Sequence, residues 1–479
     1  MNSGLLYEQV ADDLTRAIRA GTLRGGDRMP SVRGLAKQRH VSVATILQAY
    51  VRLENDGLIE VRPRSGHFVR HRSAMPSAEP RMARLNPAPA TVSVTPGVRS
   101  LMQSMRDPSV VPLGAAQVSP SLLPIRQLNR RLSAIAREVQ DAGASYGDPN
   151  GLPTLRRQLS KLSVTWGMPI HESEFVVTIG AMEAIHLALR AVARAGDTIA
   201  VETPTYFGIL QAIELLGMKA VEVPAHVRTG LDLDALEQVL RQGHVRAVLA
   251  SPNVSNPLGA VMPDEHKERL VKLCARYDAP LIEDDVYGDL AFESRPRPAA
   301  HWDREGRVLL IGSVSKTLAP GYRIGWIAPG RYQERIERLK YALTVSTPPL
   351  LQMAVAEFLG SGGYERHVRK LRSHLHGQVD RTRQAVIDAF PEGTRISDPA
   401  GGFVLWVELP PHVDAYELQA AGLAEKISVA PGPVFSPRER FTNFIRISCG
   451  FPWNERTAKA IRTLGRLAHE LQRAPRRSA

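Results

Sequence analysis

The 479-residue sequence predicts an α/β protein in two unequal parts: a small helical unit, then a large body on a mainly parallel sheet. Three observations predict it. From about residue 175 onward, short apolar runs alternate with helical stretches, and most of the runs end in a polar cluster. The first 70 residues carry a different pattern, three helices and a hairpin. Between the two lies a proline-rich stretch, His71 to Thr95, with no sustained apolar period, which reads as an extended linker. The length agrees, being too great for one ordinary core.

Composition is that of a folded chain. Hydrophobic residues make up 43% and charged residues 23%, which excludes a disordered polyelectrolyte. The formal net charge of +13 suits a polyanionic partner. It is denser at the amino terminus, where residues 1–72 hold 12 Lys and Arg against 7 Asp and Glu; the remainder holds 49 against 41. Cys274 and Cys449 stand far apart with no second cysteine beside either, so a reducing compartment and no metal site are expected. No cationic stretch followed by an apolar core opens the chain, and no apolar run is long enough to cross a bilayer. A cytoplasmic protein with no membrane partner is the expectation.

In the first unit (1–70), Leu6, Val10, Leu14, Ala17 and Ile18 share one helical face, and Gly21 and Gly25-Gly26 stop the helix. A second, short helix fits Ser31 to Gln38. Ser42 can cap a third, which runs to about Asp56, where Gly57 suits a left-handed stop. Leu58 to Val61 and His67 to Val69 read as strands around Arg62-Pro63-Arg64-Ser65-Gly66. That is the order of a winged helix-turn-helix, whose third helix enters the major groove while the wing lies along the backbone or the minor groove. A helical cap on an enzyme would give a similar pattern.

Three runs carry more: Leu6-Tyr7-Glu8-Gln9-Val10-Ala11, Gly26 to Ala36 (Gly-Asp-Arg-Met-Pro-Ser-Val-Arg-Gly-Leu-Ala), and Ala49 to Ile59 (Ala-Tyr-Val-Arg-Leu-Glu-Asn-Asp-Gly-Leu-Ile). Over about 65 residues the chain closely resembles the GntR family of bacterial repressors and activators. The resemblance implies double-stranded DNA as a partner. It places Arg33, the start of the third helix (Ser42, Thr45, Gln48) and the wing (Arg62, Arg64, Ser65, Gly66) against it. Val43 and Ala44 stand where many members carry an arginine and a polar residue, and neither can make arginine's bidentate contact to guanine.

The body (96–479) begins with a short helix, Val98 to Met105. Phe175 to Ile179 is a strand that ends at Gly180, before a helix from Ala181 through Ala193. The strand Thr198 to Val201 leads to Tyr206, Val245 to Ala250 to Asn256, and Pro280 to Ile282 to Asp284 and Tyr287. Val308 to Ile311 leads to Ser313 and Lys316, and Arg323 to Ile327 is a further strand. In a doubly wound sheet, ligands sit at the carboxyl ends of the strands, so these clusters can converge. Lys316, flanked by Ser313 and Ser315 with Arg323 seven residues on, suits a Schiff base to an aldehyde cofactor whose phosphate the hydroxyls and guanidinium hold. The amides of Gly180-Ala181-Met182 can cradle a phosphate, Tyr206 can stack on a ring, and Asp284 can keep a pyridinium protonated. Singly, each also fits an ordinary structural role.

Together, and with Tyr146-Gly147-Asp148-Pro149-Asn150-Gly151, Gly401-Gly402-Phe403 and Phe444-Ile445-Arg446-Ile447-Ser448, they resemble the fold-type I, aspartate aminotransferase-like enzymes dependent on pyridoxal 5'-phosphate. The likeness spans roughly Pro96 to Gln472. It implies that Lys316 carries the cofactor, Asp284 pairs with its pyridine nitrogen, Asn256 and Tyr287 bond its ring oxygen, and Tyr206 stacks on it. Gly180, Ala181, Met182, Ser313 and Arg323 would hold the phosphate, and Arg446 a substrate or effector carboxylate. Tyr146 would reach the neighbour's phosphate in a homodimer. The two parts joined by a long linker (71–95) resemble the MocR subgroup of the GntR family. The implied function is a DNA-binding transcriptional regulator that senses an amino acid or amine through pyridoxal phosphate. A working aminotransferase with an incidental amino-terminal domain is the alternative, and both activities can coexist.

Overall fold

The computed structural model describes residues 6–19, 22–23, 26–55, 58–62, 65–69, 78–93, 96–104, 107–139 and 144–473. The first unit follows its pattern. Helix α1 (Leu6–Arg19), α2 (Val32–Arg39) and α3 (Val43–Asn55) precede an antiparallel pair, β1 (Ile59–Arg62) and β2 (Gly66–Val69). Ser31 caps α2, its hydroxyl accepting from Gly34 N at 3.0 Å, and Ser42 does the same for α3 through Thr45 N at 3.0 Å. Val10, Leu14, Leu35, Ile46, Tyr50 and Leu53 close a small core against Ile59 and Val69.

Residues 86–91, read from sequence as part of the linker, form β3 (Asn86–Thr91), an edge strand antiparallel to a strand of the body. Pro87 and Pro89 are compatible with that place because an edge strand has one side on which no N–H is required. Helix α4 (Pro96–Ser104), the short β4 (Val111–Pro112), α5 (Ile125–Glu138) and α6 (Pro153–Thr165) lead to the central sheet.

Its strands are β5 (Val176–Ile179), β6 (Thr198–Thr203), β7 (Lys219–His226), β8 (Gly230–Leu231), β9 (Val245–Ala250), β10 (Leu281–Asp284), β11 (Val308–Ser313) and β12 (Ile324–Ala328), joined by β3. The order is β3-β7-β6-β9-β10-β11-β12-β5, with β8 paired to β7. Strands β7, β6, β9, β10 and β11 run parallel, while β12 lies antiparallel between β11 and β5. No α-helix separates β11 from β12, only a single 3-10 turn at Pro320–Tyr322, so the chain returns as a broad hairpin, and its loop carries Lys316. Apolar side chains fill both faces, which is why these strands read as near-continuous hydrophobic runs. Helices α7 (Gly180–Val192), α8 (Phe207–Leu215), α9 (Leu233–Arg241) and α10 (Asp264–Arg276) are the crossovers.

Helices α11 (Gln333–Thr344) and α12 (Pro349–Gly360) lead to α13 (Gly363–Ala389), which carries the chain to a second, smaller sheet. There β13 (Arg395–Ile396), β14 (Val404–Glu408), β16 (Ala430–Pro431) and β17 (Phe444–Ser448) pair in the order β13-β14-β17-β16, and β15 (Ile427–Ser428) pairs with β4. Helices α14 (Ala415–Ala424) and α15 (Glu455–Arg473) share a core with that layer and α13. No helix among the described residues is long and apolar enough to cross a membrane.

Candidate functional site

A cavity of about 360 Å³ opens at the carboxyl ends of β6, β9, β10 and β11, between the two layers of the body. It is lined by Ala181, Met182, Tyr206, Asn256, Asp284, Tyr287, Ser313, Lys316, Arg323 and Arg446. Ten of the eleven body residues singled out from sequence other than Tyr146 are thus brought to one place. Gly180, the eleventh, stands just behind the wall.

Lys316 extends its amine into this space. Its Nζ donates to the Ala116 carbonyl at 2.9 Å and stands 5.6 Å from the Tyr287 ring centre. Burial pulls the ammonium down to about 8; the Arg446 cation pushes the same way and Asp284 opposes it. Asp284 ends β10, and its Oδ1 accepts from Val286 N at 3.2 Å. Burial lifts this carboxyl to about 6, with the Val286 amide working against the lift. The next residue points the other way, as alternation along a strand requires. Asp285 is held by Arg295 and by Asn253 Nδ2 at 3.0 Å, away from the cavity. Tyr206 precedes α8, and a Cβ on Gly208 would come within 2.4 Å of its ring, so the glycine makes room for it.

At the opposite end, α7 begins at Gly180 with no side-chain cap, leaving first-turn amides free for an anion. Gly180 has φ +72°, and a Cβ there would lie 2.3 Å from Arg323 Nη2. Arg323, itself left-handed at φ 54°, reaches Ser315 Oγ at 3.4 Å and the Ile179 carbonyl at 3.4 Å. Ser313 Oγ donates to the Ile324 carbonyl at 2.9 Å and lies 2.8 Å from Ser315 Oγ. Behind this cradle, Glu183 accepts from Ile179 N at 2.6 Å and from the fully buried Lys340 at 2.9 Å, which fixes the start of α7. Free amides, two hydroxyls and a guanidinium are a donor set for a phosphate.

Arg446, on β17, is 1% exposed. Its Nη2 donates to the Gly114 carbonyl at 2.6 Å and its Nη1 to Asn256 Oδ1 at 3.1 Å, and Nε has no partner. The guanidinium lies 5.0 Å from the Phe435 ring centre. Burial lowers it to about 10, and no carboxylate among the described residues pairs with it. A buried cation without a counter-ion is poised for an anionic ligand. One lysine, one cavity-facing carboxylate, a flat tyrosine and a phosphate cradle at the far end match a phosphorylated pyridine aldehyde in chemistry and size. These residues fit pyridoxal phosphate.

Tyr146 lies apart, 87% exposed and outside the cavity wall. In the first unit, Arg33, Gln48 and Ser65 are exposed, and Gly66, left-handed at φ 102°, is half-buried. Ser42 and Thr45 bond each other, Oγ to Oγ1 at 2.8 Å, so both hydroxyls serve the helix cap. Arg64 and the side chain of Arg62 lie outside the described residues. Sequence reasoning missed two groups. The Gly114–Gln117 stretch supplies carbonyls to Lys316 and Arg446, and Leu101 and Met102 of α4 form an apolar wall. Val43 and Leu47, each 45% exposed, make an apolar ridge on α3 one helical turn apart.

Comparison with known proteins agrees with this geometry. Residues 113–463 match the family described as aminotransferase class I and II, and residues 6–69 match bacterial regulatory proteins of the gntR family. The uncharacterized HTH-type transcriptional regulator YdcR of Escherichia coli is 38% identical over 97% of this chain and 99% of its own. YjiR of the same organism, described in the same words, is 37% identical over 96% and 98%. Among solved structures, the α-aminoadipate aminotransferase LysN of Thermus thermophilus, complexed with N-(5'-phosphopyridoxyl)-L-leucine, superimposes with a TM-score of 0.73 at 27% identity. It covers 79% of this chain and 95% of that one. The kynurenine aminotransferase of Pyrococcus horikoshii gives 0.74 at 27% identity, over 79% and 96%.

Proposed function

The chain belongs to the aminotransferase class I and II family and joins to it a gntR-type domain, the architecture of the MocR regulators; we propose that this DNA-binding regulator holds pyridoxal 5'-phosphate on Lys316 and responds to an amino compound. The observation that carries the reading is the convergence of Lys316, Asp284, Tyr206 and the Arg323 cradle on one cavity, in a chain that begins with a winged helix-turn-helix.

When bound, pyridoxal phosphate supplies an aldehyde that condenses with primary amines and a ring that withdraws electrons. The protein's own groups do the rest. Lys316, with its amine near 8, keeps a usable neutral fraction at physiological pH. Asp284 would hold a proton on the ring nitrogen by its charge, and its burial would keep water from competing. Asn256 and Tyr287 address a ring oxygen, and Arg323, Ser313 and the amides from Gly180 to Met182 orient a phosphate. Arg446 would bind the carboxylate of an amino acid and so orient its amine toward the Lys316 side of the cavity. Arg33 and the wing make phosphate contacts with DNA. Tyr146, with its ring exposed, reaches a second copy in a cytoplasmic homodimer. Only a difference in affinity for two domain arrangements lets the ligand alter DNA binding.

The test incubates the purified full-length chain with cofactor, reduces it with borohydride and maps the label, which should fall on Lys316. Adding a panel of amines while following the cofactor spectrum and DNA binding then identifies the effector. A label elsewhere, or none, overturns the assignment. A catalytic reading is favoured by one observation, that Arg446 and Lys316 share a cavity and can serve two half-reactions. Sustained keto-acid formation in the same panel would establish it.

A further inference from the structure

Residues 78–91 do not hang between the two parts; they are strapped to the body, and one buried carboxylate ties the strap to the cavity. Glu222, on β7, is 1% exposed and stands opposite Asn86 of β3. Its Oε1 accepts from Thr203 Oγ1 at 2.7 Å and from Ser436 Oγ at 2.7 Å. Its Oε2 faces two cations, Arg440 Nε at 3.4 Å and Arg438 Nε at 3.7 Å. The same two arginines turn their other nitrogens on the strap. Arg438 Nη2 donates to the Ala88 carbonyl at 2.6 Å, and Arg440 Nη1 donates to the Arg84 carbonyl at 2.6 Å. With prolines at 87 and 89 the strap offers carbonyls but few amides, so donors from the body are what can grip it.

The other side of Glu222 leads to the cavity. Thr203 ends β6 three residues before Tyr206, and Thr205 N donates to the Phe435 carbonyl at 3.0 Å. Phe435, next to Ser436, is the ring beneath the Arg446 guanidinium. The segment bearing Tyr206 and the turn beneath Arg446 are therefore both bonded to the carboxylate that anchors the strap's two arginines. Cutting either arm leaves a buried charge short of partners, which couples the arms more tightly than apolar packing would.

We propose that Glu222, Arg438 and Arg440 form a clasp through which occupancy of the cavity and docking of the 84–91 strap each favour the other. The proposal rests on the functional reading above and adds the regulation of that site. Coupling of this kind is reciprocal: if docking tightens cofactor binding by some factor, the cofactor must stabilise docking by the same factor.

The test uses the full-length protein and the Arg438→Ala/Arg440→Ala double variant, neither residue lining the cavity. Hydrogen exchange of residues 84–91 is measured with and without pyridoxal 5'-phosphate, alongside the cofactor's dissociation constant and absorption spectrum. The double variant should raise strap exchange at least tenfold and weaken cofactor binding at least threefold. In the wild type, saturating cofactor should slow strap exchange by at least the factor by which the variant loses affinity. Glu222→Gln, which retains its hydroxyl partners but not its charge, should fall between the two. Faster strap exchange with unchanged cofactor affinity and spectrum would refute the coupling, and unchanged exchange would refute the clasp. If borohydride labels Lys316 in neither protein, the cavity reading fails and the coupling falls with it.

Discussion

Covalent loading of the cofactor should titrate with the Lys316 amine near pH 8, not near the ordinary lysine value of 10.5. Only the neutral amine attacks an aldehyde. At pH 7 a group titrating at about 8 is about 9% neutral, against about 0.03% for an unperturbed lysine, an advantage of roughly 300-fold. The structure also says which neighbours tune it. Burial comes first; the Arg446 cation lowers the value further, and the Asp284 carboxylate raises it. Arg446→Gln should therefore move the midpoint up, and Asp284→Asn should move it down. The assay is rapid mixing of apoprotein with pyridoxal 5'-phosphate from pH 6.5 to 10.5, following absorbance, with the lower limit set above the cofactor phosphate's own ionisation at about 6. The rate should rise about tenfold per pH unit below the midpoint and level off above it. A midpoint near 10.5, or a shift in the same direction for both variants, would refute the reasoning.

Other expectations follow from the same geometry. Asp284→Asn should stabilise the apoprotein at pH 7 while perturbing the bound cofactor's spectrum, whereas Asp285→Asn should leave that spectrum alone and lower stability through Arg295. The sign for Asp284 is set by its folded value of about 6, above the ordinary 3.8. The folded state binds more protons between those values, so stability falls as pH rises through them and the cost is complete above about 6. The difference is worth about 3 kcal/mol, reduced to about 2 by water in the cavity, and denaturant titrations at pH 4 and 7 measure it. Lys340→Met should lower stability by about 3 kcal/mol and weaken phosphate binding, since Glu183 loses its buried cation behind the start of α7. On DNA, a slope of log affinity against log salt of roughly −4 to −5 is expected for about four to six phosphate contacts, and Arg33→Ala should flatten it by about one. If the exposed Val43 and Leu47 meet thymine methyls, replacing a contacted thymine by deoxyuridine should weaken binding about fourfold, and Val43→Ser should shrink that difference.

What could be read from the sequence was the chemistry carried by side chains at strand ends. Lys316, Asp284, Asn256 and Tyr206 each follow an apolar run, and a buried parallel strand both produces that run and delivers the next polar residue to the sheet's edge. The helices and strand pair of the first unit were legible for a like reason, since the caps at Ser31 and Ser42 are local; the glycine stops expected at Gly21, Gly25 and Gly57 lie outside the described residues. Three things were hidden, each for a physical cause. The carbonyls of Gly114 and Ala116 hold Arg446 and Lys316, but every residue has a carbonyl, so no sequence pattern marks these two. Strand β3 was read as linker because its proline-rich stretch has no sustained apolar period, yet an edge strand tolerates prolines and needs no such period. Glu222 sits inside an otherwise apolar strand, where a lone glutamate reads as a surface residue, and its partners lie far along the chain at 203, 436, 438 and 440. The legible residues are polar side chains that strand ends deliver to one cavity. Of the hidden features, Glu222 and its two arginines bond the strap to the segments that carry Tyr206 and Phe435. On the coupling proposed above, that is the part a regulator requires: an enzyme needs the cavity alone, whereas a regulator needs a path by which the cavity's contents reach the residues leading to DNA.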